Sequence, residues 1–200
     1  MRVIGGRFRS RALIAPAGIA TRPTTDRLRE TLFNVLAART SPPLHGSLFV
    51  DLYAGSGAVG IEAISRGAAH CFFIDNAPPA IATLKKNLAA LSIAPSQATV
   101  FTMDITAFLK NWPQWQSRSS NIVFLDPPYE ETIAYTRVLK ALGGKSAAAA
   151  LAKDALIIAE HATPKSRKGV PELADDYGTL HRTRILEQSD AALSFYQRAD

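Results

Sequence analysis

The chain has 200 residues, 47% of them hydrophobic and 20% charged. These proportions suit one compact soluble domain with a small appendage. No run of about 18 apolar residues exists to span a membrane, and no apolar stretch follows the basic start to make a secretory signal. The lone cysteine, Cys71, excludes a disulfide framework and a cysteine-built zinc site, and a reducing cytoplasm suits it. The net charge is +6 with a pI near 9.7, and residues 1–30 carry +5 of it. Arg2, Arg7, Arg9, Arg11, Arg22, Arg27 and Arg29 stand there against Asp26 and Glu30, with no lysine. Guanidinium groups match phosphate oxygens and stack on bases, so this start suits nucleic acid; a solvated basic face is the plain alternative.

Residues 1–15 read as two short strands, Arg2–Ile4 and Ala12–Ala15, joined by a Gly5-Gly6 and arginine-rich turn. Pro16 to Pro23 reads as a loop. A helix follows from about Thr25, with Leu28, Leu32, Val35 and Leu36 on one stripe and Thr24 or Thr25 as its cap. Ser41-Pro42-Pro43 closes that segment. From there strands alternate with helices. The pattern predicts strands at Leu48–Leu52, Cys71–Asp75, Thr99–Met103, Ile122–Asp126 and Ala155–Glu160. It predicts helices at Ala58–Arg66, Pro79–Leu91, Thr106–Lys110, Glu131–Leu142 and Ser146–Lys153. Such alternation implies an α/β fold with a parallel sheet covered on both faces. His181–Leu186 and Ala192–Gln197, separated by a short turn, predict a closing hairpin and an antiparallel strand. The expected division is an arginine-rich hairpin and loop over 1–23 and a main domain over 24–200.

Ligands of such sheets sit beyond the carboxyl ends of the strands, so the residues just after each strand matter most. After the first comes Asp51-Leu52-Tyr53-Ala54-Gly55-Ser56-Gly57-Ala58-Val59-Gly60, a G-x-G-x-x-G loop leading into a helix. A dinucleotide site is one reading, with Asp75 as the ribose acid. Against it, Asp51 stands four residues ahead of Gly55, and that reading leaves no role for Asp126-Pro127-Pro128-Tyr129. A tight turn without ligand is the structural alternative. In the second motif two prolines fix the backbone and remove two N–H donors. The Asp126 carboxylate and Pro127 carbonyl are then expected to stand as acceptors with nothing local to pair with, beside the Tyr129 ring. Two fixed acceptors and a stacking ring suit an –NH₂ group on a flat heterocycle.

Asp51–Gly60 resembles motif I of class I methyltransferases, and Asp126–Tyr129 resembles the D/N-P-P-Y/F motif of amino-group methyltransferases. More narrowly, the chain resembles the RsmD family of bacterial 16S ribosomal RNA guanine-N2 methyltransferases. The resemblance rests on Arg2-Val3-Ile4-Gly5-Gly6, on the run from Arg22-Pro23-Thr24-Thr25 through Asp26-Arg27-Leu28-Arg29-Glu30 to Phe33-Asn34, and on Glu62–Gly67 and Lys86-Asn87-Leu88. Asp126–Tyr129 and Tyr196-Gln197-Arg198 complete it, so it extends over nearly the full length.

The resemblance implies a Rossmann-like class I methyltransferase fold: a mostly parallel seven-stranded sheet with one antiparallel strand near the C-terminus, plus the N-terminal β-hairpin. It implies S-adenosylmethionine as cofactor. Gly55, Ser56 and Gly57 would pass close to its methionine and ribose, with Tyr53 beside them and Asp51 toward the amino end. Asp75 would accept the ribose hydroxyls, Asn76 would assist, and Asp104 with Ile105 would meet the adenine unless Asp104 is only a helix cap. Asp75 stands where the family usually carries glutamate, and Pro78-Pro79 is unusual there. Asp126, Pro127 and Tyr129 would form the catalytic group, Asp126 also bordering the cofactor. Arg7, Arg9, Arg11, Arg22 and Tyr129 would meet RNA. The implied partner is 16S ribosomal RNA in the small subunit or an assembly intermediate, met by a cytoplasmic monomer without metal. Glu160-His161 after the fifth strand and the basic run Lys165–Gly169 are further candidates for the substrate side. A DNA adenine or cytosine methyltransferase, a protein glutamine methyltransferase and a non-catalytic RNA-binding module are the rival readings.

Overall fold

The computed structural model describes residues 1–15, 25–114, 120–128, 131–166 and 169–198. The expected loop Pro16–Pro23, with Arg22, and the residues Thr24, Tyr129, Arg167 and Lys168 lie outside these. The described helices are α1 Asp26–Ala37, α2 Ala58–Ser65, α3 Pro78–Ala90, α4 Ile105–Asn111, α5 Thr132–Leu142 and α6 Lys145–Ala148. The strands are β1 Leu48–Leu52, β2 His70–Asp75, β3 Ala98–Thr102, β4 Ser120–Leu125, β5 Leu151–Ala162, β6 Asp176–Tyr177, β7 Leu180–Gln188 and β8 Ala191–Arg198.

All eight strands form one sheet in the order β3-β2-β1-β4-β5-β8-β7-β6. Strands β1 to β5 pair in parallel, β8 runs antiparallel between β5 and β7, and β6 pairs antiparallel with β7. The sheet thus carries one strand more than expected. Asp176–Tyr177 is only two residues long, too short for any alternation of apolar and polar residues to show. Side chains leave a strand on alternate faces. Phe49 and Phe73 pack on one side with α1, α2 and α3; Val50, Leu52 and Ile74 pack on the other with α4 and α5. Both faces are covered, which is why β1 reads as a nearly continuous apolar run.

Two expected elements are corrected. The helix Ser146–Lys153 stops at Ala148, and β5 already begins at Leu151. Leu151 is buried and pairs with Ser120 of β4. Tertiary pairing therefore overrides the helix preference of the alanine run. The N-terminal hairpin is reduced from two strands to one antiparallel bridge, Arg2 to Ala12, and its expected turn holds a 3₁₀ helix at Gly6–Phe8. Val3 and Leu13 donate across the hairpin to the Arg11 and Met1 carbonyls at 3.0 and 3.1 Å, and other backbone donors go to the helices. Ile4 and Gly5 donate their N–H groups to the Glu62 carboxylate of α2 at 2.7 and 2.8 Å. Ile14 donates to Asn87 Oδ1 of α3 at 2.8 Å.

Glu62 is 0% exposed and holds three elements together. Besides the hairpin, it accepts from Arg66 Nε at 2.7 Å and faces Arg29 Nε of α1 at 3.9 Å. Arg29 is also fully buried and donates through Nη2 to the Arg2 carbonyl at 2.5 Å and to Asp26 at 2.9 Å. Its Nε and Nη1 have no hydrogen-bond partner among the described residues. Removing the carboxylate would strand two backbone donors and leave the Arg29 charge without its nearest buried counter-charge. Glu62→Ala should therefore cost about 3–5 kcal/mol of unfolding free energy, measured by urea denaturation. A loss below about 1 kcal/mol would mean that Val3 and Leu13 dock the hairpin by apolar burial alone.

Candidate active site

The order of strands reverses between β1 and β4, and in such sheets the ligand crevice lies at that point, beyond the carboxyl ends of the strands. Register places the candidate residues in a row. Leu52 pairs with Ile74 on one side and Leu125 on the other, and Asp75 pairs with Thr102. The residues following these ends, Asp104, Asp75, Tyr53 and Asp126, therefore stand along one sheet edge. With about 4.8 Å between strands, Asp75 and Asp126 lie roughly 10 Å apart along it.

The glycine loop is tied down by carboxylates. Asp75 Oδ2 accepts the Gly55 N–H at 2.8 Å, and its Oδ1 accepts the Ala77 N–H at 2.8 Å. Asp51 Oδ2 accepts the Gly60 N–H at 2.9 Å, and the Ala54 carbonyl accepts the Gly57 N–H at 2.7 Å. Three loop donors are thus used inside the protein. A pyrophosphate cradle needs such donors pointing outward, and the rim is acidic, so the dinucleotide reading loses its physical basis.

The three glycines have different reasons. A side chain at Gly57 or Gly60 would collide with Leu84 or with Phe73 and Cys71, so these two let α2 approach β2 and α3. Gly55 has φ +55° and open space where a side chain would stand. It is the position at which a ligand can lie against bare backbone. Tyr53 also takes a positive φ, 63°, which costs a non-glycine residue energy and turns the chain sharply off β1. Its hydroxyl is buried without a hydrogen bond among the described residues. Burial raises its pKa, and the nearby Arg137 guanidinium of α5 opposes that.

Asp51 is 2% exposed. Burial pushes its pKa up to about 8; the Gly60 bond opposes this and the Asp75 charge adds to it. Asn76 is exposed. Asp104 is the N-cap of α4: its Oδ1 accepts from Thr106 and Ala107 at 2.8 and 3.1 Å, leaving Oδ2 for a ligand donor. Ile105 is buried in the same core cluster as Phe108. Asp126 is half-buried and Pro127 buried.

The Pro127 carbonyl was expected to lack a local partner. Instead the buried Tyr135 of α5 donates its hydroxyl to it at 3.3 Å. This brace was missed because Tyr135 lies eight residues on and reads as an ordinary apolar position of its helix. Glu160 and His161 are also corrected. They lie inside β5, not after it, and both are buried. His161 Nε2 meets Ser194 Oγ of β8 at 2.9 Å, and burial lowers its pKa. It joins two strands.

Arg7, Arg9 and Arg11 are exposed. Arg7 reaches Gln97 just before β3 at 2.7 Å, and Arg11 reaches the carbonyl of Ala90, the last residue of α3, at 3.5 Å. The hairpin tip bonds to Ser65, the last residue of α2. The structure therefore does not bring these arginines to the crevice; they lie toward the amino ends of the strands. No helix among the described residues is long and apolar enough to cross a membrane. No cluster of His, Cys, Asp or Glu among them is placed to hold a metal.

With this geometry in hand, the chain's relatives decide the family. A family described as Conserved hypothetical protein 95 matches residues 1–196. Ribosomal RNA small subunit methyltransferase D of Escherichia coli (strain K12) is 37% identical over 203 residues, covering 99% of this chain and 90% of that one. The chain belongs to the RsmD family. A Bacillus subtilis (strain 168) relative, provisionally named the rRNA methyltransferase YlbH, is 41% identical over 199 residues and 99% of both chains. A solved Escherichia coli structure, described provisionally as the methyltransferase yhhF, superposes with a TM-score of 0.75 at 34% identity, covering 99% of this chain and 97% of that one. The Rossmann-like methyltransferase fold of this RsmD-family chain is thus established.

Asp51 gains a proton on folding. Its pKa is about 8 in the fold against 3.8 ordinarily, so the folded state holds a proton that the unfolded chain releases. Its contribution to stability is greatest below pH about 4 and declines as pH rises toward about 8. Asp51→Asn, which can still accept from Gly60, should remove that decline. In urea unfolding the variant should gain on the wild type between pH 5 and pH 8; parallel curves would refute the shift.

Proposed function

We propose that this chain methylates the exocyclic N2 amino group of a guanine in 16S ribosomal RNA. The methyl donor is S-adenosylmethionine, whose sulfonium supplies an already activated, positively charged methyl group. The observation that carries the reading is the pair of acceptors, Asp126 and the Tyr135-braced Pro127 carbonyl, in one row with the open backbone at Gly55. The crevice fits the cofactor's chemistry. Its acids favour a cation, and Gly55 leaves room where a side chain would stand.

The residues divide the work. Asp75 already accepts two backbone N–H groups, yet a carboxylate has about four acceptor sites and retains room for ribose hydroxyls. Asp51 lies under the loop toward the methionine end; an ammonium group there would favour its ionised form. Asp104 Oδ2 can accept from an adenine amino group while Oδ1 caps α4. Tyr53 and Asn76 border the same rim, and the Ile105 backbone flanks it.

The guanine amino lone pair is delocalised into the ring and is a weak nucleophile. Asp126 and Pro127 would accept its two N–H bonds, orient the nitrogen and stabilise the positive charge that develops on it, and loss of one N–H proton to Asp126 or to water would leave the neutral methylamino product. Tyr129 follows directly in sequence and supplies a ring for stacking a base taken out of its helix. Arg7, Arg9 and Arg11 provide phosphate contacts away from the reacting atoms, and Arg22 is a further contact to RNA. The 1–23 segment thereby grips RNA while 24–200 performs catalysis.

The test uses methyl-labelled S-adenosylmethionine with small subunits, free 16S RNA, DNA or protein, followed by nucleoside analysis. Label should appear in N2-methylguanine of the RNA. Label in DNA or protein would overturn the substrate, and label on another RNA atom would overturn the N2 assignment. Asp126→Ala should keep cofactor affinity and lose about 10²–10³ in rate. Tyr135→Phe removes a neutral brace and should cost about tenfold. Near-wild-type turnover of Asp126→Ala would reduce that residue to a strand end.

The arginine role has its own measurement. Each phosphate contact releases roughly 0.7–0.9 counterion, so affinity should fall steeply with salt. Arg7, Arg9 and Arg11 replaced together by Ala should weaken RNA binding and flatten that slope while leaving cofactor affinity unchanged. An unchanged slope would make these arginines a solvated face.

A further inference from the structure

Outside the acceptor row the N-terminal hairpin and the glycine loop touch where Ser56 Oγ donates to Met1 Sδ at 4.0 Å, and both are hydrogen-bonded by one side chain. Asn87 of α3 is 1% exposed. Its Oδ1 accepts the Ile14 N–H at 2.8 Å, and its Nδ2 donates to the Ile14 carbonyl at 3.0 Å. The same Nδ2 donates to the Ser56 carbonyl at 2.9 Å. Both amide protons are therefore used, one on each side. The paired bonds to Ile14 imitate a strand-to-strand link, and they hold the end of the hairpin opposite its arginine tip.

The Ser56 bond acts on the weakest part of the cofactor loop. Ser56 lies between Gly55 at φ +55° and Gly57 at φ +80°. Glycine tolerates many backbone angles, so the peptide plane between Ser56 and Gly57 is free to reorient unless held. It is held at both ends. The Gly57 N–H is fixed by the Ala54 carbonyl at 2.7 Å, and the Ser56 C=O is fixed by Asn87. Only the second clamp comes from outside the loop, and it shares its amide with the hairpin.

We infer that Asn87 is a positioning residue that fixes the backbone beside Gly55, so that cofactor affinity depends on the docked hairpin. The inference rests on the reading of the loop as the S-adenosylmethionine site. Asn87→Ala removes every bond. Asn87→Asp keeps the bond from Ile14 N–H and turns a carboxylate oxygen on two carbonyls. Ile14→Pro deletes the Ile14 N–H and keeps its carbonyl, at a half-exposed position. Ser65→Ala is the control. It loses the bonds from Phe8 N and to the Gly5 carbonyl at the hairpin's far end.

The experiment measures S-adenosylhomocysteine binding by calorimetry on the full chain, with melting temperature and amide exchange at Gly57 in parallel. Asn87→Ala and Asn87→Asp should weaken binding about tenfold, as expected for one lost loop contact, with kcat at saturating cofactor nearly unchanged. Ile14→Pro should weaken it about threefold by the same logic. Ser65→Ala should lower the melting temperature and leave the affinity alone. Equal affinity losses in Ser65→Ala, or unchanged affinity in folded Asn87 or Ile14 variants, would overturn the inference. Faster Gly57 exchange in Ile14→Pro but not in Ser65→Ala reports the clamp without any ligand. If the wild type itself fails to bind S-adenosylhomocysteine, the cofactor reading falls, and unchanged exchange would separately remove the clamp.

Discussion

The hydrogen bond from the Gly60 N–H to the buried Asp51 carboxyl group sets the position of α2, and most of the site follows from α2. It joins the end of β1 to the first turn of the helix across the glycine loop. With that helix placed, Glu62 on it collects the hairpin and Arg66, and lies against Arg29. The loop that remains between β1 and α2 has little freedom left, because Asp75, Ala54 and Asn87 take its backbone groups in turn. A carboxylate is an economical tie here. It accepts several N–H groups at once, and an unpaired buried N–H costs about as much as a lost hydrogen bond.

Such a site is built from acceptors. Around the crevice the side chains offer carboxylate oxygens, and the Pro127 backbone offers a carbonyl. This polarity suits chemistry in which charge on the ligands becomes or stays positive, at sulfur or at an amino nitrogen. It is the reverse of a phosphate site, where backbone donors face outward. Two proteins can share a glycine-rich turn and a sheet order and still bind opposite charges, because the direction of a few N–H bonds decides.

Much of this was legible in the amino-acid order. β1 falls at Leu48–Leu52 as expected, and the helix cap at Thr25 and the row of acids after the strands follow from local patterns. What escaped depends on distant partners. β6 is two residues long and carries no period. The alanines before Leu151 favour helix by themselves, but β4 recruits the chain that follows them into the sheet. Tyr135 reads as a core residue until its hydroxyl is found against Pro127. Glu160 and His161 look like strand-end chemistry until β8 extends their strand past them and buries them. Asn87 interrupts the apolar face of α3, and a buried amide on such a face is the one local sign that something across the helix needs both of its ends.

The hairpin lies lengthwise along the α2 side of the molecule. Met1 and Ile14 are near the glycine loop, and Gly5 and Phe8 are at the last residue of α2. Eight residues of helix separate these ends, about 12 Å. The basic tip and the acceptor pair are therefore on different margins of the protein, a fixed ruler between them. A short single strand threaded into the crevice leaves the tip in solvent. Under the proposed roles of the arginines and the acceptor pair, the ligand presents phosphates and an extruded base at two margins of the protein at once, which is a property of folded RNA and not of a local base sequence. Selection by such a ruler needs no separate recognition domain.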